Sequence, residues 1–263
     1  MAAGPGGICT PTDMTILITN DDGIYAPGLT ALKRALSPLG EVIAIAPDRP
    51  RSATGHAITL HKPLRITPVE IPDGGTGYMT NGTPSDCVVL GMIDLLEERP
   101  ALVVAGINPG ANLGEDLTYS GTVSAAMEAA LIGVPAFAIS IASYQVQDYT
   151  AAAKYAQSLA RRVIERGLPA GTLLNVNVPD LPEDKMGPAV VTRHARGHYQ
   201  GRLERRLDPN GHPYYWMGGD IVYDPEPDGT DREAVAAGNI SVTPIHLDLT
   251  AHDFMDELRA WLA

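Results

Sequence analysis

The chain has 263 residues, of which 44% are hydrophobic and 19% are charged, so it can bury a core and is too apolar to be disordered. Its formal net charge is -12, from 31 acidic and 19 basic residues, which disfavours a broad surface for a nucleic acid polymer or for anionic lipid. Two cysteines without metal-ligand spacing, Cys9 and Cys87, are typical of a reducing cytoplasm, and no apolar run approaches the roughly 18 residues of a membrane span.

The first predicted elements are a tail and a buried strand. Residues 1–13, MAAGPGGICTPTD, are rich in Gly, Pro and Thr and lack the basic segment and apolar core of a secretory signal, so we expect a loose tail. The apolar run TILIT at 15–19 then predicts a strand that is buried on both faces. Two adjacent carboxylates, Asp21 and Asp22, follow where this strand ends.

Apolar runs and helical patterns alternate through the next part of the chain. Three further runs predict buried strands: VIAIA at 42–46, ALVVAGI at 101–107 and PAFAISI at 135–141. Helical patterns cover 27–36, 84–97 after an N-cap at Thr83, 120–132, and 149–166 before Gly167. The alternation predicts an α/β fold with a doubly wound, mostly parallel sheet over residues 14–190.

Residues 191–263 predict a different kind of segment. The sequence becomes polar, aromatic and rich in turns, before ISVTPIHLDLT at 240–250 and a short helix at 253–262. Five aromatic residues fall within 25 positions: Tyr199, Tyr214, Tyr215, Trp216 and Tyr223. Since a hairpin cannot bury so many aromatics alone, we expect a C-terminal β-hairpin and helix arm that forms a homodimer or homotetramer and returns partly to the core. Tyr215 and Trp216 are the candidate anchors on the neighbouring subunit.

Polar clusters follow three of the predicted strands. They are NDDG after Ile18, PDRPRSATG after Ala46 and NPGANLGED after Ile107. Ligands of open parallel sheets bind beyond the carboxyl ends of the strands, so these loops are expected to converge. A hard divalent cation would relieve the repulsion between Asp21 and Asp22, with a hydroxyl oxygen from Ser52 and an amide oxygen from Asn108 completing the protein ligands.

A fourth motif, YSGTVSAAMEAALIG, places Ser120, Gly121 and Thr122 where a helix begins. Backbone N–H groups and the positive end of the helix dipole make that position favourable for phosphate. Each motif alone has a simpler interpretation: a turn with capping carboxylates, a polar loop, a glycine-rich turn, or an ordinary Ser cap. Their joint occurrence at successive strand ends favours a functional site.

Five blocks of the sequence, in this order, resemble the SurE family. They are ILITNDDGIYAPGL, APDRPRSATGHAITL, NGTPSDCV, VAGINPGANLGEDLTYSGTVSAAMEAALIGVPAFAIS and SVTPIHLDLTAH, and the resemblance covers nearly all of residues 14–255. SurE proteins are stationary-phase survival proteins that act as nucleoside monophosphate phosphatases. The resemblance implies a Rossmann-like core and oligomers built through an exchanged C-terminal arm. Around Ser52 this chain departs from the family's commonest form, which carries asparagine and glycine there.

The same resemblance implies a set of site residues. One divalent cation, magnesium, manganese or calcium, is expected on Asp21, Asp22, Ser52 and Asn108. Phosphate contacts are expected from Asn112 and from the loop formed by Ser120, Gly121 and Thr122.

We therefore expect a cytoplasmic, metal-dependent phosphomonoesterase, a 5'-nucleotidase whose range could extend to 3'-monophosphates and short polyphosphate. Asp21 and Asp22 are the expected catalytic residues, with Asp22 favoured as proton acceptor, and His56 and His246 are candidate general acids. A phosphatase with an aspartyl-phosphate intermediate is one alternative, although Asn20 stands where that class carries an aspartate. A non-catalytic nucleotide-binding module is the other, although it has little need for two unpaired carboxylates.

Overall fold

The computed structural model describes residues 14–72, 75–223 and 229–263. The predicted tail at 1–13, with Cys9, lies outside the described residues. The side chains at positions 198, 199, 220, 221 and 223 are likewise not described, so two of the predicted arm aromatics, Tyr199 and Tyr223, lie outside the description as side chains.

Within these ranges the chain forms eleven strands and six helices. The strands are β1 Thr15–Thr19, β2 Glu41–Pro47, β3 Ile66–Glu70, β4 Thr76–Thr80, β5 Leu102–Pro109, β6 Ala136–Ile141, β7 Thr172–Val178, β8 Ala189–Val191, β9 Gly197–Leu207, β10 Pro213–Tyr223 and β11 Ile240–His246. The helices are α1 Pro27–Leu36, α2 Pro84–Leu90, α3 Gly121–Ile132, α4 Thr150–Arg166, α5 Asp231–Ala236 and α6 Met255–Leu262.

Nine of the strands form one sheet in the order β3-β4-β2-β1-β5-β6-β7-β11-β8. The pairs from β4 to β7 are all parallel, whereas β3 runs antiparallel to β4 and β11 runs antiparallel to β7. The predicted α/β fold with a mostly parallel sheet is therefore confirmed. The predicted C-terminal hairpin is also present, since β9 and β10 pair as a separate two-stranded sheet.

Helices cover both faces of the large sheet. Alternate residues of β1 point to opposite faces, and Ile16, Leu17 and Ile18 are all fully buried. Ile16 and Ile18 pack with side chains of α1 and α4, whereas Leu17 packs with side chains of α2 and α3. Burial on both faces is why the central strands are continuous apolar runs, the pattern from which they were predicted.

The structure differs from the sequence prediction in one predicted helix and in strands β3, β4, β7 and β8, which were not predicted. The helix predicted over 84–97 ends as an α-helix at Leu90, and Gly91–Leu95 forms a π-turn in which the Leu96 N–H donates to the Gly91 carbonyl. Strand β7 was not predicted, because Asn175 and Asn177 interrupt its apolar pattern although both are fully buried.

The C-terminal segment contributes to both sheets. Strand β11 pairs with β7, from Ser241 opposite Asn177 to His246 opposite Thr172. The boundaries predicted at 14–190 and 191–263 stay a prediction. No helix in the described ranges is both long and apolar enough to cross a membrane.

Helix α1 lies close against the end of β5 at Gly28. A Cβ atom added at Gly28 would stand 2.1 Å from the backbone oxygen of Ile107. Helix propensity alone predicts that Gly28→Ala stabilises the protein by about 1 kcal/mol, whereas the clash predicts a loss of about 2 kcal/mol. We expect the loss, measured as the free energy of unfolding in urea, and a gain in stability would contradict this packing.

Candidate active site

The loops that follow β1, β2 and β5 meet at one edge of the sheet. Strand β1 lies between β2 and β5, so the strand order reverses there, as it does at the ligand crevices of doubly wound sheets. A cavity of about 390 Å³ opens at this point. Its lining includes six predicted site residues: Asp21, Asp22, Ser52, Asn108, Asn112 and Ser120. Tyr144 also lines it and lies outside every predicted motif. The rest of the lining belongs to the predicted motifs but was not singled out as site residues: Ala53, Pro109, Gly110, Ala111, Asp116 and Tyr119.

Asn20 holds the turn that presents the two carboxylates. Its side-chain oxygen accepts the Gly23 N–H at 3.1 Å, and its side-chain nitrogen donates to the Gly23 carbonyl at 3.1 Å. Gly23 has φ +105°, a left-handed conformation that favours glycine. The backbone oxygen of Asp21 also accepts the Arg51 N–H at 2.7 Å, which joins this turn to the loop carrying Ser52. Asn20 is a positioning residue.

Asp21 is buried against the start of α3. Only 5% of its surface is exposed, and its carboxylate accepts a short hydrogen bond from the Thr122 hydroxyl. A Cβ atom added at Gly121 would lie 2.9 Å from the Asp21 Cβ, so only glycine lets the helix approach this closely. Burial raises the pKa of Asp21 above its usual range, although the Thr122 hydrogen bonds partly oppose this. The sequence analysis expected Gly121 and Thr122 to contact phosphate. In the structure both residues pack against Asp21, and neither is among the residues that line the cavity.

Asp22 is the second carboxylate of the cavity. Burial, and then the charge of neighbouring Asp21, raise the pKa of Asp22 to about 7. Its Oδ2 atom is buried and has no hydrogen-bond partner among the described residues. The described lining of the cavity contains no lysine, arginine or histidine. When both are ionised, two desolvated carboxylates without a basic side chain in the described lining are stabilised only by a positive charge from elsewhere.

The donor set at this edge fits a hard divalent cation. No group of three or more His, Cys, Asp and Glu residues with metal-binding geometry occurs within the described ranges, so the carboxylate pair would need neutral oxygen ligands. Asn108 donates its side-chain nitrogen to the Gly110 carbonyl at 2.7 Å, which leaves its side-chain oxygen available. Ser52 is exposed on the opposite loop and lines the same cavity. Oxygen-rich, thiol-free sites of this kind suit magnesium, manganese or calcium.

Buried polar residues of the sheet hold Asn112 in place. Asn177 accepts the Asn112 backbone N–H at 2.8 Å, and the side-chain amides of Asn175 and Asn177 donate to the Asn112 carbonyl at 2.8 and 3.0 Å. The Asn112 side-chain nitrogen donates to the Ser140 hydroxyl at 2.8 Å. In the sequence, two asparagines that alternate with apolar residues, Asn175 and Asn177, were the one indication that this strand positions another residue.

Ser120 has two roles in the structure. Its hydroxyl accepts the Val123 N–H at 3.1 Å, which is an ordinary helix N-cap, and its side also lines the cavity.

The two candidate general acids lie elsewhere. His56 and His246 line a separate, more apolar cavity of about 570 Å³ together with Leu117, Met127 and Leu249. His56 Nε2 is 2.8 Å from the Glu128 carboxylate. Neither histidine lines the cavity that holds Asp21 and Asp22. Both face another part of the surface, which the spacing of residues along the chain could not show. Asp116 does line it, and burial raises the pKa of that carboxyl.

Comparisons with known proteins point to one family. The family model described as "Survival protein SurE" matches residues 16–201. A protein of Geobacter sulfurreducens named 5'-nucleotidase SurE is 52% identical over 249 residues, which are 94% of this chain and 94% of that protein. One of Moorella thermoacetica with the same name is 50% identical over 257 residues, 95% of this chain and 96% of its own length. The crystal structure of the SurE protein from Aquifex aeolicus, 40% identical, superposes with a TM-score of 0.82 and covers 95% of this chain and 100% of that one.

The carboxylate pair predicts how stability depends on pH without a metal. Since the pKa of Asp22 is raised from 3.8 to about 7 on folding, the folded state keeps a proton that the unfolded state loses. In chelator, the free energy of unfolding should therefore fall as the pH rises from about 4 to about 7. Asp22→Asn should flatten this slope and be more stable than the parent above pH 7, by about 1 to 2 kcal/mol after allowing for partial exposure.

Urea unfolding at a series of pH values measures this, with Asp180→Asn, an exposed carboxylate outside the cavity, as the matched control. A slope that stays the same in Asp22→Asn would contradict the assignment of the buried carboxyl.

Proposed function

This chain belongs to the SurE family, and from that membership we propose how its cavity works: it hydrolyses nucleoside monophosphates to nucleoside and inorganic phosphate, using one divalent cation on Asp21 and Asp22. The chain is a nucleotide phosphomonoesterase, as its relatives named 5'-nucleotidase indicate. We place it in the cytoplasm, as its cysteine usage predicts.

One observation carries the assignment to this cavity. Two adjacent, desolvated carboxylates stand at the switch point of the sheet, and one buried oxygen of Asp22 has no hydrogen-bond partner among the described residues. A fold stabilised for its own sake would pair or expose such a group, because an unpaired buried carboxylate is costly. The site therefore accepts a loss of stability that a bound cation and its substrate would offset.

The residues divide the work between them. A divalent cation held here would neutralise phosphoryl oxygens and lower the pKa of a water molecule. Ser52 and Asn108 would supply uncharged oxygen ligands. The two carboxylates alone would then balance the charge of a divalent cation. The start of α3 directs the positive end of its dipole to the side of the cavity where Ser120 stands, which favours a phosphate dianion.

The two aspartates are not equivalent. Asp21 is held by Thr122 in one orientation, so it serves as a fixed ligand. Asp22 is less buried than Asp21, and its Oδ2 atom has no hydrogen-bond partner among the described residues, so we assign Asp22 as the acceptor of the attacking water's proton. Asn20 disfavours the aspartyl-phosphate alternative, because both atoms of its amide are engaged in the Gly23 turn.

Neutralising either aspartate tests this function. Asp21→Asn and Asp22→Asn each remove an anionic ligand, so chelator-sensitive phosphate release from a nucleoside monophosphate should fall at least about 100-fold. Asp180→Asn, the matched control, should retain full activity. Near-parental turnover in both cavity variants would refute the assigned site.

A substrate comparison tests the reaction class. A cyclic nucleotide offers fewer terminal oxygens and less charge than a monoester, so it should resist hydrolysis under the same conditions.

We also propose that the chain assembles as a homodimer or homotetramer through its arm. The register of β9 and β10 places Leu203 opposite Met217, Arg205 opposite Tyr215 and Leu207 opposite Pro213, so these side chains share one face. Leu203, Leu207, Tyr215 and Met217 are all exposed in the single chain, and a two-stranded hairpin has no core in which to bury them. Trp216 lies opposite Glu204 on the other face, so the two anchors predicted from the sequence point in opposite directions.

The two faces of the hairpin give a matched test of assembly. The double change Tyr215→Ser and Met217→Ser removes apolar surface from the first face and should shift the light-scattering mass toward a smaller species. Trp216→Ser, which removes a larger side chain from the opposite face, should leave the mass unchanged. A parent chain that is monomeric at micromolar concentration would contradict the proposal.

A further inference from the structure

A second cavity adjoins the first on the side of Asp22. It has a volume of about 440 Å³, and Asp22, Pro109 and Tyr144 line both cavities. The two cavities are therefore adjacent at the carboxyl edge of the sheet, and we call the pair the groove. A molecule whose charged end binds near Asp22 in the first cavity would have to pass Asp22, Pro109 or Tyr144 to extend into the second.

The two halves of this groove differ in chemistry. The first half carries the carboxylates, the neutral oxygen ligands and the start of α3. The second half is lined, apart from the three shared residues, by Ala26, Pro27, Gln145, Val146, Gln147 and Tyr149. Among these described residues there is no charged side chain, and the surface consists of apolar and aromatic groups with two amides. An uncharged, largely flat ligand with hydrogen-bonding edges suits such a surface.

Tyr144 stands at the junction of the two halves. Its side chain is 86% exposed, although its ring lies directly against Gly110: a Cβ atom added there would be 2.5 Å from Cε1 and 3.2 Å from Cζ. Gly110 has φ +106°, and its N–H donates to the Ile141 carbonyl at 2.9 Å, so the strand end that precedes Tyr144 is tied to the Asn108 loop. The ring is thus supported by backbone on one side and open to the groove on the other.

We propose that the second cavity holds the nucleoside part of the substrate and that the Tyr144 ring stacks on the nucleobase. This inference rests on the proposed phosphomonoesterase function and adds the residue by which the site selects nucleotides over simpler phosphate esters. Stacking does not depend strongly on which base is bound, because every base has a π face. Purines and pyrimidines are therefore both accepted. The exposed amide of Gln145 borders the same space and offers a donor and an acceptor to either kind of base.

Tyr119 provides an internal comparison. It is also an exposed aromatic residue, with 66% of its side chain accessible, and it lines the first cavity. It does not line the second cavity, and its carbonyl accepts the Gly55 N–H at 3.1 Å on the loop that carries Ser52. A base bound in the second cavity would contact Tyr144 and leave Tyr119 free.

The test compares two substrates that share a phosphate and a ribose and differ in the base: adenosine 5'-monophosphate and ribose 5-phosphate. Tyr144→Ala should raise KM for the nucleotide by about 10-fold, with kcat little changed, because the lost stacking is made equally in the ground and transition states. Its KM for ribose 5-phosphate should change by less than about 2-fold. Tyr144→Phe keeps the ring and should behave as the parent on both substrates, and Tyr119→Ala should show no selective loss.

A second measurement does not depend on turnover. Saturation-transfer NMR on adenosine, which has no phosphate, should detect binding to the parent and to Tyr144→Phe but not to Tyr144→Ala. The inference is overturned if Tyr144→Ala weakens both substrates equally, if Tyr119→Ala shows the selective loss instead, or if the parent gives no adenosine signal. A parent that binds adenosine but hydrolyses neither ester refutes the proposed function and leaves the nucleoside site standing.

Discussion

The repulsion between two adjacent carboxylates at the end of β1 is the constraint on which the rest of this site depends. Asp21 and Asp22 are desolvated together, which raises the pKa of both and leaves one buried oxygen without a partner among the described residues. Asn20 closes the turn that presents them, and Thr122 donates to the first. These contacts keep the carboxylates close together and bring no basic side chain to them, which supports the cation and the anionic substrate that we propose for this site.

The parallel sheet explains why these groups meet. Strands β2, β1 and β5 are neighbours, so loops that are about thirty and then sixty positions apart in the sequence end at the same edge. Helix α3 begins beside Asp21 because Gly121 has no side chain to keep it away. The helix dipole and the carboxylate pair thus act on the same small volume with opposite signs. A phosphate bound between them, together with a cation, would balance both.

As we propose it, the groove separates recognition of the nucleoside from the chemistry at the phosphate. The charged half is built from strand ends and a helix start, elements whose positions the core holds rigidly. The uncharged half comes mostly from the segment between β6 and α4, which includes the exposed ring of Tyr144. Ala26 and Pro27 at the start of α1 complete it, and Pro109 borders both halves. No residue of the hairpin formed by β9 and β10 lines either half among the described residues. One of its faces exposes Leu203, Leu207, Tyr215 and Met217, which supports the assembly that we propose.

The sequence by itself determined the sheet class and most of the candidate site. Continuous apolar runs identify strands buried on both faces, and the polar residues that end them, such as Asp21 and Asn108, fall at one sheet edge by the geometry of parallel strands. The sequence could not predict the features that depend on contacts between segments far apart in the chain. Asn177 reads as an interruption until its hydrogen bond to Asn112 is seen, and His56 reads as a site residue until its loop is seen to face Glu128. Only the tertiary structure decided these, because spacing along the chain specifies local conformation and leaves open which distant groups meet.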